Sequence, residues 1–331
     1  MSPSSPDPRA SQTSADPAAL VEAIVGFLTS RDLLAAADIR AVLAREIAEA
    51  GPAALVTLKA RLAEDAGWEY YPRDPLAQRI HHLLADRYLS ADSAVEGAGR
   101  LSGFDTAPLA ILANHLSYAD ANAVEVLLQR AGAGAIADRL TAIAGPKVFT
   151  SRERRFSSLC FGAIKVPQSA EVSSEEAVLN PREVARAARR AIDIAHGRLH
   201  AGDALLIFAE GTRSRAATMQ PMLSGVARYL EVPGTWVVPV GLTGTETLFP
   251  VDGSALQPGR VTLRVGAPFP ADALLSAAGG DRRLAMDAAG LAIAGLLPAH
   301  YRGVYRDGGE YADARAVLAS VTGDGMGPSN R

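Results

Sequence analysis

From about residue 100 the chain alternates short apolar runs with stretches of helical periodicity, and this alternation narrows the folds open to it. The runs cover residues 109–113, 141–144, 163–166, 204–209, 236–240 and 261–265, with helical patterns between several of them, notably 119–130 and 181–200. Strands buried on both faces read as continuous apolar runs, and the helices between them supply the crossovers that parallel strands need. The pattern predicts an α/β domain over residues 96–306, with a mixed, largely parallel sheet flanked by helices.

Residues 16–95 read instead as a helical N-terminal domain. Asp16-Pro17 and Asp74-Pro75 each pair a capping residue with a proline at the first helical position. Leu20, Ile24, Phe27 and Leu28 share one face, Gly51-Pro52 breaks a second stretch, Leu55, Leu58 and Leu62 mark a third, and Leu76, Ile80, Leu83 and Leu84 a fourth. Residues 1–15 are rich in Pro, Ser and Asp and read as a disordered tail. Residues 307–331 are glycine-rich and read as a loose one.

A net charge of -3 across 331 residues argues against non-specific nucleic-acid binding, which needs a basic surface. The one cysteine, Cys160, lies between Leu159 and Phe161 and reads as a buried structural thiol. With no disulfide available, a reducing, cytoplasmic location is expected. No apolar run approaches the ~20 residues that span a bilayer, so work on lipid would take place from the membrane surface.

Three blocks carry chemistry. In the first, Asn114-His115-Leu116-Ser117-Tyr118-Ala119-Asp120 follows a predicted strand and enters a helix. That places His115 at the carboxyl end of the sheet, where open α/β sheets bind ligands. Histidine is the usual general base because its unperturbed pKa is ~6.5, and a nearby aspartate fixes its tautomer. Spacing alone decides nothing: His81 and Asp86 are also five apart, but they lie inside one continuous helix and read as surface decoration. In the second block, a buried strand leads into Ala209-Glu210-Gly211-Thr212-Arg213-Ser214-Arg215, where Gly211 permits a tight turn and the two arginines match phosphate geometry. The third, Val237-Val238-Pro239-Val240-Gly241, is a further buried strand.

In this order the blocks resemble those of the glycerolipid acyltransferase family, which includes lysophosphatidate and glycerol-3-phosphate acyltransferases, over roughly residues 100–270. The resemblance implies that His115 is the general base on an acceptor hydroxyl, that Asp120 orients it, and that Glu210, Gly211, Thr212 and Arg213 help bind a phosphorylated acceptor. The co-substrate it implies is an acyl group on coenzyme A or acyl carrier protein, with no metal and no resident cofactor. Backbone N–H groups at the start of the helix after His115 are the candidates for stabilising the tetrahedral oxyanion.

The chain departs from the family in two places. Where the family reads Gly-x-Ile-x-Val-Asp-Arg, this chain has Gly162-Ala163-Ile164-Lys165-Val166-Pro167-Gln168, so Gln168 stands in the place of a phosphate-binding arginine. The segment 221–226 likewise lacks the cation the family often carries there. Cations able to compensate are Lys147, Arg152, Arg154, Arg215 and, on the opposite strand face from Gln168, Lys165. Failing that, the acceptor is an alcohol or amine without phosphate, or the chain is a catalytically silent lipid- or carrier-binding protein. The helix opened by Asn180-Pro181-Arg182-Glu183 carries an apolar stripe of Val184, Ala188, Ala191, Ala195 and Leu199. Its arginines 182, 186, 189 and 190 lie largely elsewhere, on a face that an anionic membrane or an acidic carrier protein can meet. A serine hydrolase is disfavoured because there is no Gly-x-Ser-x-Gly elbow. A dinucleotide enzyme is disfavoured because Gly132-x-Gly134 follows a helix rather than a strand.

Overall fold

The computed structural model describes residues 18, 19, 22, 33–63, 67–150, 152–167, 180–249, 257–306 and 309–323. Its strands are β1 (Tyr70–Tyr71), β2 (Ala94–Glu96), β3 (Leu109–Ala113), β4 (Leu140–Ala144), β5 (Gly162–Lys165), β6 (Ala204–Phe208), β7 (Trp236–Thr243), β8 (Thr262–Val265) and β9 (Phe269–Pro270). The helices of two turns or more are α1 (Leu33–Ala63), α2 (Pro75–Tyr88), α3 (Asp120–Arg130), α4 (Arg152–Ser158), α5 (Pro181–His200), α6 (Ala271–Ala277), α7 (Arg282–Ala294) and α8 (Ala312–Thr322).

All nine strands join one sheet in the order β1-β5-β4-β6-β3-β7-β8-β2, with β9 beside β7. From β5 to β7 every pairing is parallel, and antiparallel pairs occur only where β1 meets β5 and where β8 and β9 meet β7. The fold is thus the mixed, largely parallel α/β sheet that the apolar runs predict. Side chains alternate across it with a period of two. Leu109, Ile111 and Ala113 of β3 join one apolar layer with α1, α2 and α3. Ala110 and Leu112 of the same strand join the opposite layer with α5, α7 and α8.

Local signals set several boundaries. Asp74 caps α2 by accepting from the Leu76 and Ala77 amides, with Pro75 in the first turn. Asn180 and Glu183 form a reciprocal capping box at the start of α5. α1 kinks at Gly51, whose φ of 79° is left-handed and favours glycine, just before Pro52. Cys160 is buried, and burial pushes its thiol pKa up, as expected of a structural cysteine. The face predicted from Leu20, Ile24, Phe27 and Leu28 lies outside the described residues.

Three expectations change. The N-terminal region is not separated from the α/β domain at residue 95. That boundary cuts β2, β1 also belongs to the sheet, and Leu43, Leu58 and Ile80 share an apolar cluster with β3 and β6. Each of these strands is only two or three residues long, too short to leave an apolar run in the sequence. The segment after residue 307 is not loose throughout, because α8 packs on α6 and α7 and buries Ala314 and Val317. Its few apolar positions are spaced among small residues, which hides the pattern. Finally, His81 is buried, with its ring nitrogens near the Asn122 carbonyl and the Tyr88 hydroxyl, and burial lowers its pKa to about 4. Asp86, by contrast, pairs at the surface with Arg130. An unpartnered carboxyl in the α8 seam should be costly: Val317→Asp is expected to lower stability by about 1–3 kcal/mol, read as a lower urea midpoint. No change would mean that α8 contributes nothing to the core.

Candidate active site

β3 is buried along its whole length between two parallel neighbours, and the chain leaves its carboxyl end directly into the site. Asn114 controls that exit. Its side-chain amide donates to the Leu242 carbonyl at 2.9 Å, and its side-chain oxygen accepts from the Leu242 amide at 2.7 Å. The next residue, His115, places Nδ1 2.8 Å from Asp120 Oδ2. The same oxygen accepts from the Leu116 amide at 2.7 Å and the Ser117 amide at 3.0 Å. Asp120 is fully buried at the first position of α3, where the helix dipole favours a negative charge. The imidazole lies flat on Phe208, with ring centroids 4.3 Å apart and planes inclined by 17°.

Of the backbone amides between His115 and α3, where the oxyanion candidates were expected, those of Leu116 and Ser117 are spent on Asp120, and the Ala119 amide donates to Ser117 Oγ. They shape the turn and do not face a ligand.

The loop after β6 grips His115 by its backbone. Glu210 Oε1 accepts from the His115 amide at 2.9 Å, and the Ser214 amide donates to the His115 carbonyl at 2.8 Å. Glu210 Oε2 accepts from the Gln220 amide at 2.8 Å. Both carboxylate oxygens are thus engaged with backbone, so Glu210 reads as a clamp on the histidine turn. Burial raises its pKa from near 4.5 to about 7, against the opposing pull of the two amides. Gly211 has a φ of 73°, and a Cβ there would come within 2.4 Å of Leu223.

These elements frame a cleft of about 810 Å³ at the carboxyl ends of β3, β4 and β6. His115, Glu210, Gly211, Thr212, Arg213, Arg215 and Lys147 all line it. Asp120 sits behind His115, and Lys165 is not part of the cleft. The Lys165 ammonium lies over the rings of Trp68 and Phe149, at 5.1 and 5.4 Å from their centroids. Its position on β5 points it away, as the strand period requires. Gln168 and the Arg152 side chain lie outside the described residues. Arg228, absent from the sequence reading, also lines the cleft; it follows the cation-free segment 221–226 by two residues. On α5 the buried positions are Ala187, Ala191, Ala195 and Leu199. Val184 and Ala188, of the same apolar stripe, are half-buried and line the cleft beside Ile192, while Arg182, Arg186 and Arg189 are exposed.

The Glu210 clamp predicts a pH signature. Its folded carboxyl keeps a proton to higher pH than the unfolded one, so its contribution to stability is complete below about pH 4.5 and is lost as pH rises through about 7. In Glu210→Gln this component, about 3 kcal/mol at most, disappears. Urea midpoints of both proteins at about pH 5 and about pH 7 measure it, and identical pH slopes would contradict it.

Residues 95–243 match the family model described as Acyltransferase. No curated protein matches the chain. Among solved structures, the 1-acyl-sn-glycerophosphate (LPA) acyltransferase PlsC from Thermotoga maritima is similar at 18% identity with a TM-score of 0.46, covering 73% of this chain and 86% of that one. Among the described residues no helix is long and apolar enough to cross a membrane. Over residues 95–243, just under half of its length, this chain is thus similar to the acyltransferase family.

Proposed function

We propose that this acyltransferase moves a fatty acyl group from acyl-CoA or acyl carrier protein to a hydroxyl of glycerol-3-phosphate or 1-acylglycerol-3-phosphate, with His115 as general base. The observation that carries the reading is the 2.8 Å contact between His115 Nδ1 and Asp120 Oδ2 at the wall of a large cleft. With Nδ1 bound to the carboxylate, Nε2 is the ring nitrogen left to take the hydroxyl proton. The alkoxide oxygen attacks the thioester carbonyl, a C–O bond forms, and the C–S bond breaks as the tetrahedral intermediate collapses. The proton held on Nε2 then passes to the departing thiolate.

The cleft has two chemical characters that fit the two substrates. Ile143, Val184, Ala188, Ile192, Ile207 and Val226 form an apolar wall between α5 and the sheet, suited to an acyl chain. Lys147, Arg213, Arg215 and Arg228 give it a cationic rim, suited to phosphate. Exposed arginines on α5 provide a surface for an acidic carrier or an anionic membrane.

Radiolabelled acyl-CoA and acyl carrier protein, offered with a panel of acceptors, test the reading. Glycerol-3-phosphate or its 1-acyl form should be acylated, and His115→Ala and Asp120→Asn should each lose about 10²–10⁴-fold in kcat without loss of fold. Transfer only to phosphate-free acceptors would reject the acceptor assignment. Activity that survives His115→Ala would reject the chemistry. A bulky group on the apolar wall should shorten the preferred chain: Ala188→Phe is expected to lower kcat/KM for long-chain acyl-CoA while sparing short-chain acyl-CoA, and equal losses on both would argue against that wall as the acyl site.

A further inference from the structure

The cleft does not lie on one side of the sheet. Ala142 of β4 and Phe208 of β6 pack into the apolar layer of α2 and α3, whereas their chain neighbours Ile143 and Ile207 pack into the layer of α5, and all four line the cleft. The cleft therefore straddles the carboxyl edge of the sheet and has two arms. One is the apolar wall on the α5 side. In the other, on the side of α3 and α4, Ala121, Ala142 and Phe161 share the lining with two polar residues, Asn122 of α3 and Ser157 of α4. These two are bonded to each other. The Ser157 hydroxyl donates to Asn122 Oδ1 at 2.6 Å, and Asn122 Nδ2 donates to the Ser157 carbonyl at 3.3 Å. Asn122 is only 7% exposed, and its backbone carbonyl accepts from Nε2 of the buried His81 at 3.2 Å, which ties its position to α2. The adjacent Ser158 also lines the cleft, but its hydroxyl is spent on the Arg155 carbonyl.

An amide NH2 group carries two hydrogens, and a hydroxyl oxygen carries two lone pairs. The bonds between Asn122 and Ser157 use one hydrogen of Nδ2 and no lone pair of Ser157 Oγ, and no other bond to these two atoms occurs among the described residues. A donor and an acceptor thus remain side by side in an otherwise apolar lining. A group that both accepts and donates completes them, which describes a hydroxyl and not a carbonyl, a methylene or an ammonium. A site built to hydrogen-bond a hydroxyl also rejects an analogue lacking it far better than an apolar pocket rejects an added one. We propose that Asn122 and Ser157 are specificity-determining residues that read a substrate hydroxyl other than the one acylated, with Asn122 Nδ2 donating to it and Ser157 Oγ accepting from it. The inference rests on the acyl-transfer reading for its substrates. Two sources offer this chemistry, the acceptor and the acyl chain of the donor. An acceptor source selects glycerol-3-phosphate over its 1-acyl form, whose one free hydroxyl is the one that reacts. A donor source selects a hydroxylated acyl chain.

Substrate pairs that differ by one hydroxyl test the inference on the full-length protein without disturbing the fold. The acceptor pair is glycerol-3-phosphate and 3-hydroxypropyl phosphate. The donor pair is 3-hydroxyacyl-CoA and unsubstituted acyl-CoA of equal length. In steady-state acylation the hydroxylated member of one pair should show a kcat/KM about tenfold higher, and the pair that shows it identifies the source. Ser157→Ala should bring that ratio within about twofold by slowing the hydroxylated member alone, and leave the ratio of the other pair unchanged. Equal kcat/KM within both pairs, or a preference that survives Ser157→Ala, would overturn the inference and leave the two residues as a strap between α3 and α4. Calorimetric binding of the same compounds to His115→Ala, with and without Ser157→Ala, reads the site without turnover. The hydroxylated member should bind more tightly only while Ser157 is present, and equal binding of both members, or none, would overturn the inference. Absence of acyl transfer by the wild-type enzyme, with binding that depends on the hydroxyl and on Ser157, would sink the proposed function alone.

Discussion

A single carboxylate oxygen closes the turn around which the site is built. Oδ2 of Asp120 accepts from the imidazole of His115 and from the amides of Leu116 and Ser117, so three donors converge on one atom. The two amide bonds fold residues 115–120 into a compact entry to α3. The third bond makes the ring part of that entry rather than a side chain resting beside it. Because the carboxylate is fully buried and sits at a helix N-terminus, its charge is held by backbone dipoles as well as by the imidazole. The aspartate thus shapes the turn and holds the imidazole with the same atom, and neither contact separates from the other.

Around that turn the support is mostly backbone-directed. Glu210 and Ser214 hold the peptide of His115 from the neighbouring loop, and Phe208 supports the flat face of the ring. Polar side chains bonded to backbone fix position more tightly than contacts between two flexible side chains, because only one partner has rotamers to lose. The cations of the cleft follow another logic. Lys147, Arg213, Arg215 and Arg228 come from three different segments and meet only through the sheet topology.

Much of this was legible in the chain, for identifiable reasons. β3, β6 and the core of β7 are buried on both faces, so their residues form unbroken apolar runs. α5 begins where Asn180, Pro181 and Glu183 say it does, because capping is a local interaction. The His115–Asp120 pair was visible because its setting, a strand followed at once by a helix, is local too. What escaped was long-range. Nothing near Tyr118 in sequence reveals Arg213 over its ring, ninety-five positions separate Glu210 from the amide it binds, and Arg228 reaches the cleft from a 3-10 segment with no periodic signal. Lys165 is a candidate cation by sequence, but the sheet turns it toward Trp68 and Phe149. His81 lies on the covered face of α2 with its apolar neighbours, which its spacing from Asp86 does not reveal.

Asn114 gives the site a mechanical property of its own. With one amide side chain it reproduces the donor and acceptor of a paired strand residue, bonding both backbone groups of Leu242. Its own main chain is then free to bend out of the sheet plane while the lateral bonding to β7 continues. The stiffness of the histidine turn is accordingly borrowed from β7, a strand braced in its turn by β8 and β9. Loosening at that far margin of the sheet would travel to the imidazole of His115 through one asparagine.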